Sequence, residues 1–308
     1  MRQPRLLTTP TISVIVATRN RRAALEQFLE GVRGLPMEPP WELIVVDNGS
    51  GDGTHDLLVS AAADLPLVAL EERQHGKSRA LNKGLRHARG EILLFADDDI
   101  VPDRHWLTAL YQASLEYDQA NVFGGRILLN YENLPAWVVE SYNLKTILAS
   151  EQDLGNALQW FEDNQYPVGP NLAVRRCAVE RNHCEWPVNL GPGTKLPLGD
   201  ERAFLVRVSP PSTRDRLYVP GSVVRHNVAG RELKIANAAA RCFLGGYAAA
   251  LVNKRYGQRS LPHDVDFPAL ARQRRCQLVS TRELICSLAR AAGVMTGTIS
   301  PFPRIVYG

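Results

Sequence analysis

Asp97, Asp98 and Asp99 stand side by side directly after an apolar run at residues 92–96. Adjacent carboxylates repel one another, so a strand end does not gather three of them for stability. A hard divalent cation relieves the repulsion. Mg2+ and Mn2+ prefer oxygen ligands and typically take one or two protein carboxylates, with phosphate oxygens completing the shell. The competing reading is a solvated turn and helix cap ahead of Pro102. A position after a buried strand favours the metal.

Other groups are placed to serve the same site. Asp47 follows a second apolar run, residues 43–46, and opens the turn-rich Asp47-Asn48-Gly49-Ser50-Gly51-Asp52-Gly53. Glycine and Asx residues suit tight turns, and Gly49 at the third ligand position excludes an EF-hand loop. Asp47 is placed to accept hydrogen bonds from a base or ribose. His75-Gly76-Lys77-Ser78 ends like a phosphate loop, but Glu71 stands where such a loop requires its first glycine, and a Walker site is rejected. Lys77 and Arg79 at a helix start still favour an anionic ligand, beside an equal reading as surface charge. Asp200-Glu201 ahead of a helix supplies either a general base or a cap. A lone histidine such as His226 is more often structural, and only the company of these groups argues otherwise.

The elements that must carry them are legible in the first half. Apolar runs at 12–17, 43–46, 66–70 and 92–96 read as strands, separated by helical spacing at 21–32, 54–63 and 78–88. Strands that are apolar throughout indicate a mostly parallel sheet covered on both faces. Ligands of such sheets sit outside the carboxyl ends of the strands, where Thr18-Arg19-Asn20, Asp47-Asn48 and Asp97 to Asp99 all fall. Beyond this the pattern gives a helix at 106–117, a strand at 122–129, and few clear elements across 130–170. A helix at 202–208 and short strands at 217–219 and 223–225 lead to His226. No internal repeat or low-complexity tract is present.

Composition bounds the alternatives. The chain has 308 residues, 45% hydrophobic and 22% charged, with a formal charge of +4, the profile of an ordinary globular protein, long enough for one large α/β domain or for one domain with an appendage. Its basic and acidic residues are interspersed, which argues against nucleic acid as a partner. Five scattered cysteines without a signal peptide read as free thiols in a reducing, cytoplasmic setting. Cys177, His183 and Cys184 fit no familiar zinc spacing. No apolar stretch approaches the roughly 20 residues that cross a bilayer. The best, residues 284–299, carries Arg290 and reads as a packed helix, with a peripheral membrane contact the lesser reading.

Taken in order over about residues 11–250, the segments TISVIVATRNR, ELIVVDNGSGDGT, SRALNKGLRHARGEILLFADDD, GPNLAVRR, LGDERAFLVRV and VVRHNV resemble the family-2 glycosyltransferases of the GT-A fold. The resemblance implies a Rossmann-like α/β fold with a mostly parallel sheet flanked by helices. Residues 1–10, with Pro4 and Pro10 among polar residues, read as a leader, and the more basic residues 258–308 as a helical C-terminal extension, which leaves 11–257 for the GT-A domain. The domain would comprise a nucleotide-binding half, 11–129, and an irregular acceptor-side half, 130–257. The resemblance further implies that Thr18, Arg19 and Asp47 surround the nucleotide, with Arg79 near the base or phosphates. Asp97 and Asp99 would be the outer members of a DXD motif touching ribose and a Mn2+ or Mg2+ ion, with Asp98 in the nucleotide site. Asn171 and Arg231 would lie on the acceptor or sugar side, and His226 would approach the metal or diphosphate. The family usually reads Glu-Asp after the glycine, whereas this chain reads Asp200-Glu201. Alignment puts the base at Glu201, with Asp200 the alternative.

The reaction so implied is an inverting, metal-dependent transfer of a sugar from a nucleoside diphosphate sugar to a hydroxyl. The acceptor would be a saccharide or lipid-linked saccharide in cell-surface polysaccharide or glycolipid synthesis, with the tail near the inner face of the membrane. A nucleotidyltransferase would need a loop richer in glycine than residues 17–22. A non-catalytic nucleotide-sugar binding module would lack a base. A glycoside hydrolase uses two carboxylates but needs no such cluster beside a nucleotide site.

Overall fold

The computed structural model describes residues 9–131, 134–163, 165–228, 234–256 and 281–299. The first third alternates as its periodicity requires: β1 (Ile12–Thr18), α1 (Arg22–Arg33), β2 (Trp41–Asp47), α2 (Thr54–Ala61), β3 (Leu67–Glu71), α3 (Lys77–His87) and β4 (Ile92–Ala96). β1 pairs in parallel with both β2 and β4, and β2 with β3. Because β1 is apolar on both faces, it takes part in two cores. Val14 and Val16 join Leu25, Phe28 and Leu29 of α1 on one side, while Ile15 joins Ala80 and Leu81 of α3 on the other.

Later elements extend this sheet and make it mixed. They are β5 (Ile100–Pro102), α4 (Trp106–Glu116), β6 (Val122–Leu129), α5 (Ala136–Val139), α6 (Tyr142–Ala149) and β7 (Gln159–Trp160). A single 3-10 turn, Gly169–Asn171, then leads into β8 (Leu172–Arg175), α7 (Arg176–Arg181), α8 (Asp200–Val208), β9 (Arg216–His226), α9 (Ile235–Arg255) and α10 (Thr281–Ile299). The strand order is β3-β2-β1-β4-β8-β6-β9-β5, with β7 on β9. β8 runs antiparallel to β4 and β6, and β5 antiparallel to β9. The mostly parallel expectation therefore holds for the first half, and the second half departs from it. Residues 217–219 and 223–225 belong to one strand, whose register against β6 jumps from Gly125↔Val219 to Arg126↔Val223. The bulge absorbs Pro220, which has no N–H to give to the ladder.

One membrane expectation needs correcting. The helix Ile235–Arg255 is 21 residues long with a window hydropathy of 1.3, and is long and apolar enough to cross a bilayer by length and composition. Its alanines and glycines hid this from a reading tuned to bulky residues. In the fold it packs along α10, so closely that a Cβ on Gly293 would lie 1.9 Å from the Phe243 carbonyl oxygen.

Helix α3 carries Lys77 and Arg79 and also lies close to the sheet. A Cβ on Gly84 would sit 2.6 Å from Ile15 Cγ2. Gly84→Val should overpack this contact and lower the unfolding free energy by about 1–3 kcal/mol, read from the urea midpoint; an unchanged midpoint would contradict the tight packing.

Candidate active site

Polar residues gather at the carboxyl ends of the parallel strands. Thr18 ends β1 opposite Asp47, which ends β2, and Asp97 to Asp99 follow β4 directly. β5 then pairs antiparallel with the end of β9, placing Ile100 opposite His226, and the Asn227 N–H donates to the Asp99 carbonyl at 2.9 Å. A three-residue strand thus locks the histidine beside the third carboxylate.

Each carboxylate of the triplet has its own partner. Lys77 Nζ donates to Asp97 Oδ1. Thr18 Oγ1 donates to Asp98 Oδ2 at 2.7 Å, and Arg21 Nε lies 3.3 Å from Asp98 Oδ1. Arg21 Nη2 reaches Asp99 Oδ2 at 2.5 Å, and His226 Nε2 lies 3.2 Å from Asp99 Oδ1. Burial dominates Asp98 and pushes it up to about 6, with the Arg21 charge and the Thr18 bond working against it. Burial also acts on Asp99, but His226 and Arg21 outweigh it and hold that carboxyl at about 2.

The donor set fits a divalent cation. Ligand atoms of Asp97, Asp99 and His226 lie within 4.8 Å of one another. His226 Nδ1 is 2.9 Å from the Ala149 carbonyl oxygen, which can only accept, so Nδ1 carries a proton. Nε2 is therefore the ring atom turned to Asp99; burial lowers the imidazole pKa, but Asp99 outweighs it and raises it. A cation at Nε2 would take the place of that proton, with the Ala149 carbonyl holding the ring in orientation. Asp99 Oδ1 is buried, with His226 Nε2 at 3.2 Å as its near neighbour, so a cation entering between the two atoms would meet both as ligands.

Asp200 and Glu201 form the first turn of α8, two residues earlier than the sequence pattern indicated. Phe204 on the same helix stacks on Trp186 at 4.5 Å, and both meet Phe95 edge-on. Phe95 lies two residues before Asp97, so this aromatic trio fixes α8 relative to the acidic triplet. Two glycines admit the carboxylates. A Cβ on Gly191 would lie 2.3 Å from Asp200 Oδ2, and one on Gly169 would lie 2.5 Å from Glu201 Oε1. The Gly169 N–H donates to Glu201 Oε2 at 2.9 Å. Burial, then the charge of Asp200, pushes Glu201 up to about 7. Burial likewise raises Asp200, against the charge of Lys77. The Lys77 ammonium feels Asp97, Glu201 and Asp200 together, which outweighs its burial and raises its pKa. The acidic triplet and the carboxylate pair are therefore one charge cluster.

The other expected residues divide into rim and scaffold. Arg79 is half-buried in the first turn of α3 and has no ionic partner among the described residues. Arg19 is exposed, with Nη2 3.4 Å from His75 Nε2. Asp47 is buried and accepts from the Ser50 N–H at 2.9 Å. Arg231 lies outside the described residues. Asn171, expected on the acceptor side, is buried and its amide is spent inside the protein: Oδ1 accepts from Trp106 Nε1 at 2.9 Å, and Nδ2 donates to the carbonyls of Ser222 and Arg126. Its part is to join α4, β6 and β9. Arg21 and Asn48 were missed. Asn48 accepts from the Gly76 N–H and donates to the carbonyls of Glu72 and Gln74, tying down the approach to α3. A charge count could have found Arg21, since three carboxylates at a strand end need cations nearby.

Asn171→Leu should therefore act on stability. Each buried group it leaves unsatisfied costs about 1–3 kcal/mol, visible in chemical denaturation. A normal unfolding curve with only weakened acceptor use would return Asn171 to the acceptor side.

Residues 13–182 match the family described as Glycosyl transferase family 2. The glycosyltransferase AglE of Haloferax volcanii is 31% identical over 129 residues, 41% of this chain and 42% of that protein. An N-acetylglucosaminyltransferase of Azorhizobium caulinodans is 25% identical over 221 residues, 70% of this chain and 55% of its own length. The matched stretches thus span less than two thirds of these relatives. Among solved structures, the mannosyltransferase PcManGT from Pyrobaculum calidifontis, in complex with GDP-Man and Mn2+, shares the fold with a TM-score of 0.59 at 22% identity, covering 96% of this chain and 77% of that one. With the family match extending over more than half of its 308 residues, this chain belongs to glycosyl transferase family 2.

Proposed function

We propose that the protein is an inverting, metal-dependent glycosyltransferase that moves a sugar from a nucleoside diphosphate sugar to a hydroxyl of a saccharide or lipid-linked saccharide. The observation that carries this reading is the convergence of Asp97, Asp99 and His226 beside a buried carboxylate poised at about 7. The solved mannosyltransferase with GDP-Man and Mn2+ supports it by analogy of fold. Asp97, Asp99 and His226 would hold the cation, and an imidazole ligand suits Mn2+ better than Mg2+, which keeps to oxygen. When bound, the cation supplies Lewis-acid stabilisation of the departing diphosphate.

The chain's own groups do the rest. Asp47 and Arg19 border the nucleoside at the ends of β1 and β2. Arg79, with the N-terminal pole of α3, attracts the phosphates. Glu201 accepts the proton of the acceptor hydroxyl. That oxygen then forms its bond to the anomeric carbon as the bond to the diphosphate breaks and its electron pair leaves with the phosphate. Attack from the face opposite the leaving group inverts the configuration. Glu201 is favoured over Asp200 because Asp200 is the more enclosed of the two, against Gly191.

The test is release of nucleoside diphosphate from UDP-GlcNAc and GDP-mannose with Mn2+, water serving as acceptor. Glu201→Gln should slow release about 100- to 10,000-fold, the usual worth of a general base. A base must be ionised to act, so kcat/KM should rise as pH climbs through about 7 and level off above it. A rate flat from pH 5 to 9, or an unimpaired Glu201→Gln, would remove Glu201 from this role.

A further inference from the structure

Two of the three side chains that would hold the cation are already paired with basic groups of this same chain. Lys77 Nζ donates to Asp97 Oδ1, and Arg21 Nη2 donates to Asp99 Oδ2 at 2.5 Å while its Nε lies 3.3 Å from Asp98 Oδ1. A divalent cation drawing on Asp97 and Asp99 must compete with both pairs. The two basic groups also stand where phosphates would arrive. Arg21 precedes the first residue of α1, its side chain 46% exposed and free to swing on a long stem. Lys77 is the first residue of α3, whose N-terminal pole attracts anions.

We infer that Arg21 and Lys77 are internal counterions of the acidic triplet, so that the cation binds strongly only together with a nucleoside diphosphate, whose phosphates take over the two displaced basic groups. The inference rests on Asp97, Asp99 and His226 being the cation ligands. Without an anion, entry of the cation leaves an ammonium and a guanidinium facing a divalent charge at short range, in a site partly shielded from water. With a diphosphate present, both basic groups exchange a carboxylate oxygen for a phosphate oxygen, and Arg21, which now bridges Asp98 and Asp99, gains the bidentate partner its guanidinium favours. Cation and diphosphate then strengthen each other's binding by the same factor, as linkage requires. The arrangement discriminates against free cation and against uncomplexed nucleotide, because each alone leaves charges unpaired.

The experiment is titration of Mn2+ alone, followed by its EPR signal and by calorimetry, into the wild type, Arg21→Gln and Lys77→Gln, then repeated with UDP and with GDP. Melting curves first establish that each variant is folded; because the two act in the same direction, loss of one leaves the other. Free Mn2+ should bind Arg21→Gln roughly tenfold tighter than wild type, within the 5- to 150-fold range usual for coupled sites. The extra Mn2+ affinity conferred by the nucleotide should shrink correspondingly. Folded variants that bind free Mn2+ no tighter than wild type would overturn the inference while leaving the proposed transferase intact. Failure of the wild type to bind Mn2+ even with UDP or GDP would overturn both.

Discussion

Three carboxylates at the end of a buried strand impose the constraint on which this structure turns. Carboxylates taken out of water and set side by side oppose one another's charge, yet the chain places Asp97, Asp98 and Asp99 together at one strand end, Asp98 buried and its neighbours half-buried. The surroundings make this tolerable in three ways. Thr18 donates to the middle carboxylate, the one pushed up to about 6. Arg21 and Lys77 bring positive charge from the helices that follow β1 and precede β4. His226 arrives from the far side of the sheet, held by β5 and oriented by the Ala149 carbonyl. The devices come from the β1–α1 junction, α3 and the end of β9, so the site exists only when these elements are assembled.

The same dependence explains the second half of the fold. β8, β6 and β9 add little that resembles a nucleotide-binding layer, but they bring α8 and His226 to the crevice. The Phe95, Trp186 and Phe204 trio sets the distance between the triplet and the carboxylate pair, and Asn171 joins Trp106 to the strands beneath. Gly169 and Gly191 leave just enough room for Glu201 and Asp200 to be enclosed. Enclosure is what raises Glu201, and a buried carboxyl raised towards neutrality is suited to taking a proton and releasing it again.

Much of this was legible in the sequence where local pattern and tertiary environment agree. The four parallel strands are apolar on both faces, so their extent and the polar residues at their ends could be read from hydrophobic runs alone. β5 could not, because three residues beside an acidic triplet carry no periodicity and become a strand only when β9 lies alongside. The length of β9 was hidden by Pro220 and Gly221, which read as a break and form a bulge. α9 was hidden by its small residues. At the site, residue types identified the carboxylates and His226, but spacing could not reveal that the Asn171 amide faces inward. Nor could it reveal that Arg21, four residues past Ala17, reaches across to Asp98 and Asp99.

The central claim is that Asp97, Asp99 and His226 hold a divalent cation that recognises the diphosphate of a sugar donor. Calorimetric binding of UDP and GDP, each with and without Mn2+, to the wild type and to Asp99→Ala tests it most directly. The account predicts that one diphosphate binds markedly tighter with Mn2+ and that Asp99→Ala abolishes this gain. Binding indifferent to Mn2+, or a gain that survives in Asp99→Ala, would contradict it and leave the acidic triplet a structural turn.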